Sequence, residues 1–93
     1  MTIGVLQLSL FIPGACSLKA KRQILKSLKD RVRKKFNVSV AETEGLEKWQ
    51  RQTLAVACVN NNKRFLNSVL SKVVNLVESD HAVELIDYTI EIL

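Results

Sequence analysis

Apolar and polar residues alternate along four segments of the chain, which is the pattern of a β-strand with a buried face. In the first of these segments both sets of alternating positions are largely apolar, which predicts a central strand. Two further segments repeat apolar residues at helical spacing and predict amphipathic helices. The strands are predicted at residues 2–12, 38–43, 50–59 and 83–93. The helices are predicted from a cap at Ser17 to Asn37 and from a turn and cap signal at residues 60–62 to Glu78.

The order β-α-β-β-α-β predicts an α+β, ferredoxin-like sandwich, in which two helices cover one face of a four-stranded antiparallel sheet. Right-handed crossovers would place the first and third strands in the centre of the sheet. A chain of 93 residues suits two packed layers, so we expect residues 1–93 to form a single domain. No segment has the charge pattern of a signal peptide or the length of a membrane span, and we expect a cytoplasmic protein that does not bind membranes.

The face of the sheet without helices is also predicted to be apolar. Such a patch is suited to a second subunit, so we expect a homo-oligomer formed through this open face. The side chains predicted to lie on it are Ile3, Val5, Phe11, Ala55, Ala57 and Val59.

The first predicted helix carries most of the positive charge. Nine of the fourteen Lys and Arg residues lie between Lys19 and Lys35, where Asp30 is the only acid, and the whole chain has a net charge of +5. The first turn of the helix contains cations, although the helix dipole favours acids there. The interaction of these cations with the dipole is unfavourable, and a bound phosphate would offset it. The charge therefore favours a polyanionic partner. Lys21 differs from the others, because it projects towards the apolar arc and must reach past the core or meet a carboxylate or a bound anion.

A tryptophan follows the second strand, in a predicted loop that leads to the third. Trp49 beside Arg51 can stack a base and hold a phosphate, or the ring can fold over the edge of the core. The predicted third strand offers no aromatic platform for bases, so we expect contacts mainly to the phosphate backbone. The predicted nucleic-acid-binding residues are Lys19, Lys21, Arg22, Lys26, Lys29, Arg33, Trp49 and Arg51.

The sequence gives little support for catalysis. The single His81 lies in a predicted turn, the carboxylates are scattered, and no phosphate-binding loop or dinucleotide motif is present. Cys16 and Cys58 lack the spacing of a metal or redox site. We therefore expect a protein that is not an enzyme and that needs no metal or cofactor.

Three segments of the sequence together resemble a known family, namely IPGACSLKAKRQILKSLKDRVRKKFNVSVAE, WQRQTLAVACVNN and VELIDYTIEIL. On these segments the chain is similar to the YlxP-like family of small bacterial proteins of unknown function, and the resemblance covers essentially its whole length. The resemblance implies a ferredoxin-like fold and a cytoplasmic protein, whose genes commonly neighbour those of translation and ribosome-maturation factors, but no established activity.

Together these features favour an RNA- or ribosome-associated accessory protein that binds phosphates along a basic helix. One alternative is a homo-oligomeric protein-interaction module whose basic helix docks on an acidic partner. Another is a small regulatory domain that binds an anion or nucleotide at the start of the helix. The sequence leaves all three open.

Overall fold

The structure is a computed structural model that describes residues 1–45, 48 and 50–93. It confirms the predicted order of elements, with bounds that differ from the predicted ones by one or two residues. The strands are β1 (Thr2–Phe11), β2 (Ser39–Glu44), β3 (Arg51–Asn60) and β4 (Glu84–Ile92). The helices are α1 (Leu18–Lys35) and α2 (Lys63–Glu78).

The four strands form one antiparallel sheet in the order β2-β3-β1-β4. Strands β1 and β3 are central, as predicted. Alternate residues of β1, among them Leu6 and Leu8, are fully buried and form one hydrophobic core with the apolar stripes of both helices. This arrangement of strands and helices is the ferredoxin-like fold.

Both helices begin where the sequence predicts a cap. The Ser17 side chain accepts a hydrogen bond from the Ala20 amide, and the Asn62 side chain accepts from the amides of Arg64 and Phe65. These bonds satisfy amides that have no partner within the helix. Helix α1 ends at Lys35, after its core-facing residues Leu25, Leu28 and Val32.

The opposite face of the sheet, which we call the open face, consists of the remaining alternate residues. In the described part of the chain the buried core lies on the helix side of the sheet, and the open face keeps partial exposure. Val59 at one end of the open face is 58 % exposed. The register across the two central strands pairs Val5 with Ala57, Gln7 with Ala55 and Phe11 with Arg51 on this face.

Candidate nucleic-acid interface

Five cations of α1 form a continuous stripe along the helix, which we call the basic ridge. At about 100° per residue they fall within an arc of about 80°, and at 1.5 Å per residue the stripe is about 21 Å long. Lys19 and Arg22 at its start are exposed, and the Lys26 side chain keeps 79 % of its surface accessible. The ridge consists of Lys19, Arg22, Lys26, Lys29 and Arg33.

The middle of the ridge is partly neutralised by Asp30. The Lys26 ammonium donates to a carboxylate oxygen of Asp30 at 3.0 Å, and the Arg33 guanidinium lies 4.0 Å from the other oxygen. The hydrogen bond from Lys26 is the main reason that the pKa of Asp30 is lowered. Asp30 is therefore ionised at neutral pH and competes with any bound phosphate for these two cations.

Lys29 is held by the sheet. Its ammonium donates to Glu42 of β2 at 2.6 Å, and both side chains are mostly buried. The neighbouring Arg33 donates to the Val40 carbonyl at 2.9 Å. Lys29 is one of the predicted phosphate-binding residues, but its charge is already paired with a carboxylate, and this pair joins the ridge to the edge strand β2.

Lys21 does not belong to the exposed surface. It is 2 % exposed, and its ammonium donates to the carbonyl oxygens of Gly45 at 2.5 Å and Lys48 at 2.6 Å. Burial lowers the pKa of Lys21, while the nearby charge of Glu42 acts in the opposite direction. The predicted inward orientation is confirmed, but its partners are backbone carbonyls, and the assignment of Lys21 to phosphate binding is wrong.

The loop after β2 does not extend the ridge in the way the sequence suggested. Arg51 is exposed and lies opposite Phe11, on the open face of the sheet, whereas α1 packs on the other face. Arg51 therefore does not lie beside the cations of α1, and its role in nucleic-acid binding stays a prediction. Trp49, the other predicted residue of this loop, lies outside the described residues.

A second group of cations, absent from the sequence-based site, lines a groove of about 450 Å³ between α1 and α2. Arg31 donates to Asp80 at 2.7 Å, and the Lys35 ammonium lies 5.8 Å from the centre of the Phe36 ring. Lys72 completes the group from α2. The spacing of four residues between Arg31 and Lys35 indicates that both lie on one face of α1. The contribution of Lys72 could not be predicted in this way, because it depends on how the two helices pack.

The described residues contain no group of three or more His, Cys, Asp or Glu side chains that could hold a metal ion. None of the described helices is long and apolar enough to cross a membrane.

Comparison with known proteins identifies the family. Residues 3–90 match the family described as "Protein of unknown function (DUF503)". The chain belongs to this family. It is 34 % identical over 82 residues to the uncharacterized protein YlxP of Bacillus subtilis (strain 168), a match that covers 88 % of this chain and 89 % of that protein. The resemblance noted in the sequence is thereby confirmed.

Two designed proteins are among the solved structures that are similar to this one. The de novo designed protein Ferredog-Diesel matches with a TM-score of 0.48 and 11 % identity, over 98 % of this chain and 84 % of that one. The designed protein LFR1 1 with ferredoxin fold matches with a TM-score of 0.46 and 11 % identity, over 100 % and 83 %. The assignment of the fold rests on the strand order and helix placement described above.

Proposed function

We propose that this protein is a non-enzymatic RNA- or ribosome-associated accessory protein that holds phosphate groups along the basic ridge. One observation carries the proposal: among the described residues, neither Lys19 nor Arg22 has a carboxylate within 4.0 Å. Both lie in the first turns of α1, where the helix dipole adds positive potential. The start of the ridge is thus the region where electrostatic attraction would stabilise a bound anion most.

The shape of the ridge suits a polyanion better than a single anion. Four of its cations, all except Lys29, are spread over about 21 Å of one helix, and they can meet successive phosphates of one strand. No aromatic side chain of the described residues lies within the ridge, so base stacking contributes nothing there. We therefore expect binding with weak sequence selectivity and a strong dependence on salt.

The ridge holds five cations and is in contact with two carboxylates, Asp30 and Glu42. This leaves a positive surface even after internal pairing. The exposed Lys34 adds to it near the end of α1, beside Lys26 and Asp30. The ribosome is included in the proposal because genes of the YlxP-like family, which this chain resembles, commonly neighbour those of translation factors.

An acidic protein surface is the competing ligand for the same ridge. A pull-down from lysate with the purified protein, with and without nuclease treatment, separates the two. If the function is RNA binding, nuclease releases the captured material, and sequencing of the bound RNA identifies the target. Captured proteins that stay bound after complete nuclease treatment would contradict the proposal and favour the protein-interaction module.

A further inference from the structure

The open face of the sheet combines an uncharged centre with a marked difference in side-chain size. In the middle of the face β1 contributes Val5 and Gln7, whereas β3 contributes the smaller Ala57 and Ala55 at the paired positions. The middle of the face therefore has a raised strip on β1 beside a lowered strip on β3. Two such surfaces fit together only when the raised strip of one meets the lowered strip of the other.

Lateral growth of the sheet is hindered at both edges. On β2, the Arg33 guanidinium engages the Val40 carbonyl, and the register shifts between Glu42 and Glu44. On β4, the Asp87 carboxylate accepts the Tyr88 amide, and the register with β1 also shifts. Side chains that hydrogen-bond to the backbone of an edge strand, and bulges in that strand, oppose the addition of a further strand. Association of the sheet is therefore favoured through its face.

We propose that a second copy of this chain packs on the open face, about a two-fold axis that runs parallel to the strands between the two stacked sheets. This axis places β1 of each copy over β3 of the other, so that Gln7 of one copy meets Ala55 of the second. An axis across the strands would place β3 over β3 and leave two alanine strips facing each other, with a gap between them. The size difference thus selects the parallel axis.

Charge by itself does not select between the two axes. The parallel axis places β4 of one copy over β2 of the other, so that Glu91 meets Ser39, whereas Asp87 lies over Glu44. An axis across the strands would bring the two acidic β4 strands together, and their carboxylates would repel each other in the contact. The choice of axis therefore rests on the size difference between β1 and β3.

The available area is sufficient for a specific dimer. The strands have ten, ten, nine and six residues, which gives a face of about 550 Å² per copy. The total of about 1,100 Å² exceeds the minimum of about 1,000 Å² for a specific interface. Aligned packing of two sheets also leaves α1 of both copies on the outside. The dimer is therefore compatible with, and independent of, RNA binding at the basic ridge.

Light scattering after gel filtration, in the absence of nucleic acid, tests the dimer. We expect a mass close to twice the 10.5 kDa of one chain. Val59→Glu should shift the mass to that of one chain, because it puts a charge into the contact. Phe65→Glu is the matched control, since Phe65 is 50 % exposed but lies on α2, and it should remain dimeric. Circular dichroism and thermal unfolding check that both variants fold. A monomeric parent protein, or a dimer that Val59→Glu leaves intact, would overturn the proposal.

Cysteine crosslinking tests the axis. In a Cys16→Ser background, which removes the exposed native thiol, chains with Gln7→Cys are mixed with chains carrying Ala55→Cys and then oxidised. The substitutions are placed on separate chains because Gln7 and Ala55 of one chain are already cross-strand neighbours. We expect a disulfide between the two kinds of chain. A disulfide formed only between two Ala55→Cys chains would require the axis across the strands and would contradict the proposal.

Discussion

The ammonium of Lys21 donates a hydrogen bond of 2.5 Å to the carbonyl oxygen of Gly45, and thereby joins the start of α1 to the loop between β2 and β3. A second bond of 2.6 Å reaches the Lys48 carbonyl. The side chain is 2 % exposed, so the apolar stem packs within the structure while the charged end is satisfied by the backbone. This lysine has a structural role, whereas Lys19 and Arg22 on the same helix are exposed.

Replacing Lys21 should destabilise the fold. Lys21→Met keeps the stem but removes both charge-assisted hydrogen bonds, and we expect the free energy of unfolding to fall by about 1 to 3 kcal/mol. Lys19→Met, on the same helix but exposed, is the matched control and should change stability by less than about 0.5 kcal/mol. Urea unfolding followed by circular dichroism measures both. Equal stability of the two variants would show that the loop carbonyls do not depend on Lys21.

Lys21 should also make the free energy of unfolding depend on pH in the alkaline range. Its pKa is lowered from 10.5 by burial, so above the lowered pKa the folded protein has released a proton that the unfolded chain still holds. Stability rises with pH wherever the unfolded state binds more protons. The free energy of unfolding of the parent, relative to Lys21→Met, should therefore increase as pH approaches 10.5 from below. A difference that stays constant or decreases over that window would contradict the lowered pKa.

Gly45 should be sensitive to the addition of a single methyl group. Its φ is +82°, and a Cβ there would lie 3.0 Å from the Arg51 carbonyl oxygen. Gly45→Ala should lower the free energy of unfolding by about 1 to 2 kcal/mol, because L-residues disfavour this conformation. Gly14→Ala is the control, since a Cβ at Gly14 has no described atom within 4 Å. Thermal unfolding of the two variants is the measurement, and a cost at Gly14 that equals the cost at Gly45 would contradict the argument.

Asp30 should weaken binding of polyanions, because it occupies Lys26 and approaches Arg33. Asp30→Asn removes the carboxylate charge and should strengthen RNA binding several-fold, with a steeper dependence of the affinity on salt. Asp87→Asn removes the same charge from β4, away from α1, and serves as the control. Fluorescence anisotropy with a labelled RNA of mixed sequence compares them. Equal effects of the two substitutions would indicate that only net charge matters.

The periodicity of the sequence was sufficient for the fold, because each element has its own signal. Ser17 and the run of asparagines at 60–62 marked the helix starts, and alternation marked the strands. The same alternation relates Arg51 to Thr53, and both residues lie on the open face.

The pairing of charges was less accessible to sequence reasoning, because it depends on tertiary contacts. Lys29 meets Glu42 thirteen residues away, and Arg31 meets Asp80 forty-nine residues away. The inward orientation of Lys21 followed from the helical spacing, but backbone carbonyls as its partners could not be inferred, since they become acceptors only through the geometry of the loop. Counting cations on α1 therefore overestimated the surface that is available to a ligand.

The basic ridge is tested most directly by the double charge reversal Lys19→Glu and Arg22→Glu. Acids in the first turns of a helix are favoured by its dipole, so this variant should unfold no more easily than the parent. The matched control is Lys63→Glu with Arg64→Glu, which makes the same charge change in the first turn of α2.

The measurement is the affinity for a labelled RNA of mixed sequence across a series of salt concentrations. We predict that the parent and the α2 variant bind at low salt, and that the α1 variant loses binding while remaining folded. Equal loss in the two variants, or no binding by the parent at low salt, would contradict a role of the ridge in holding RNA.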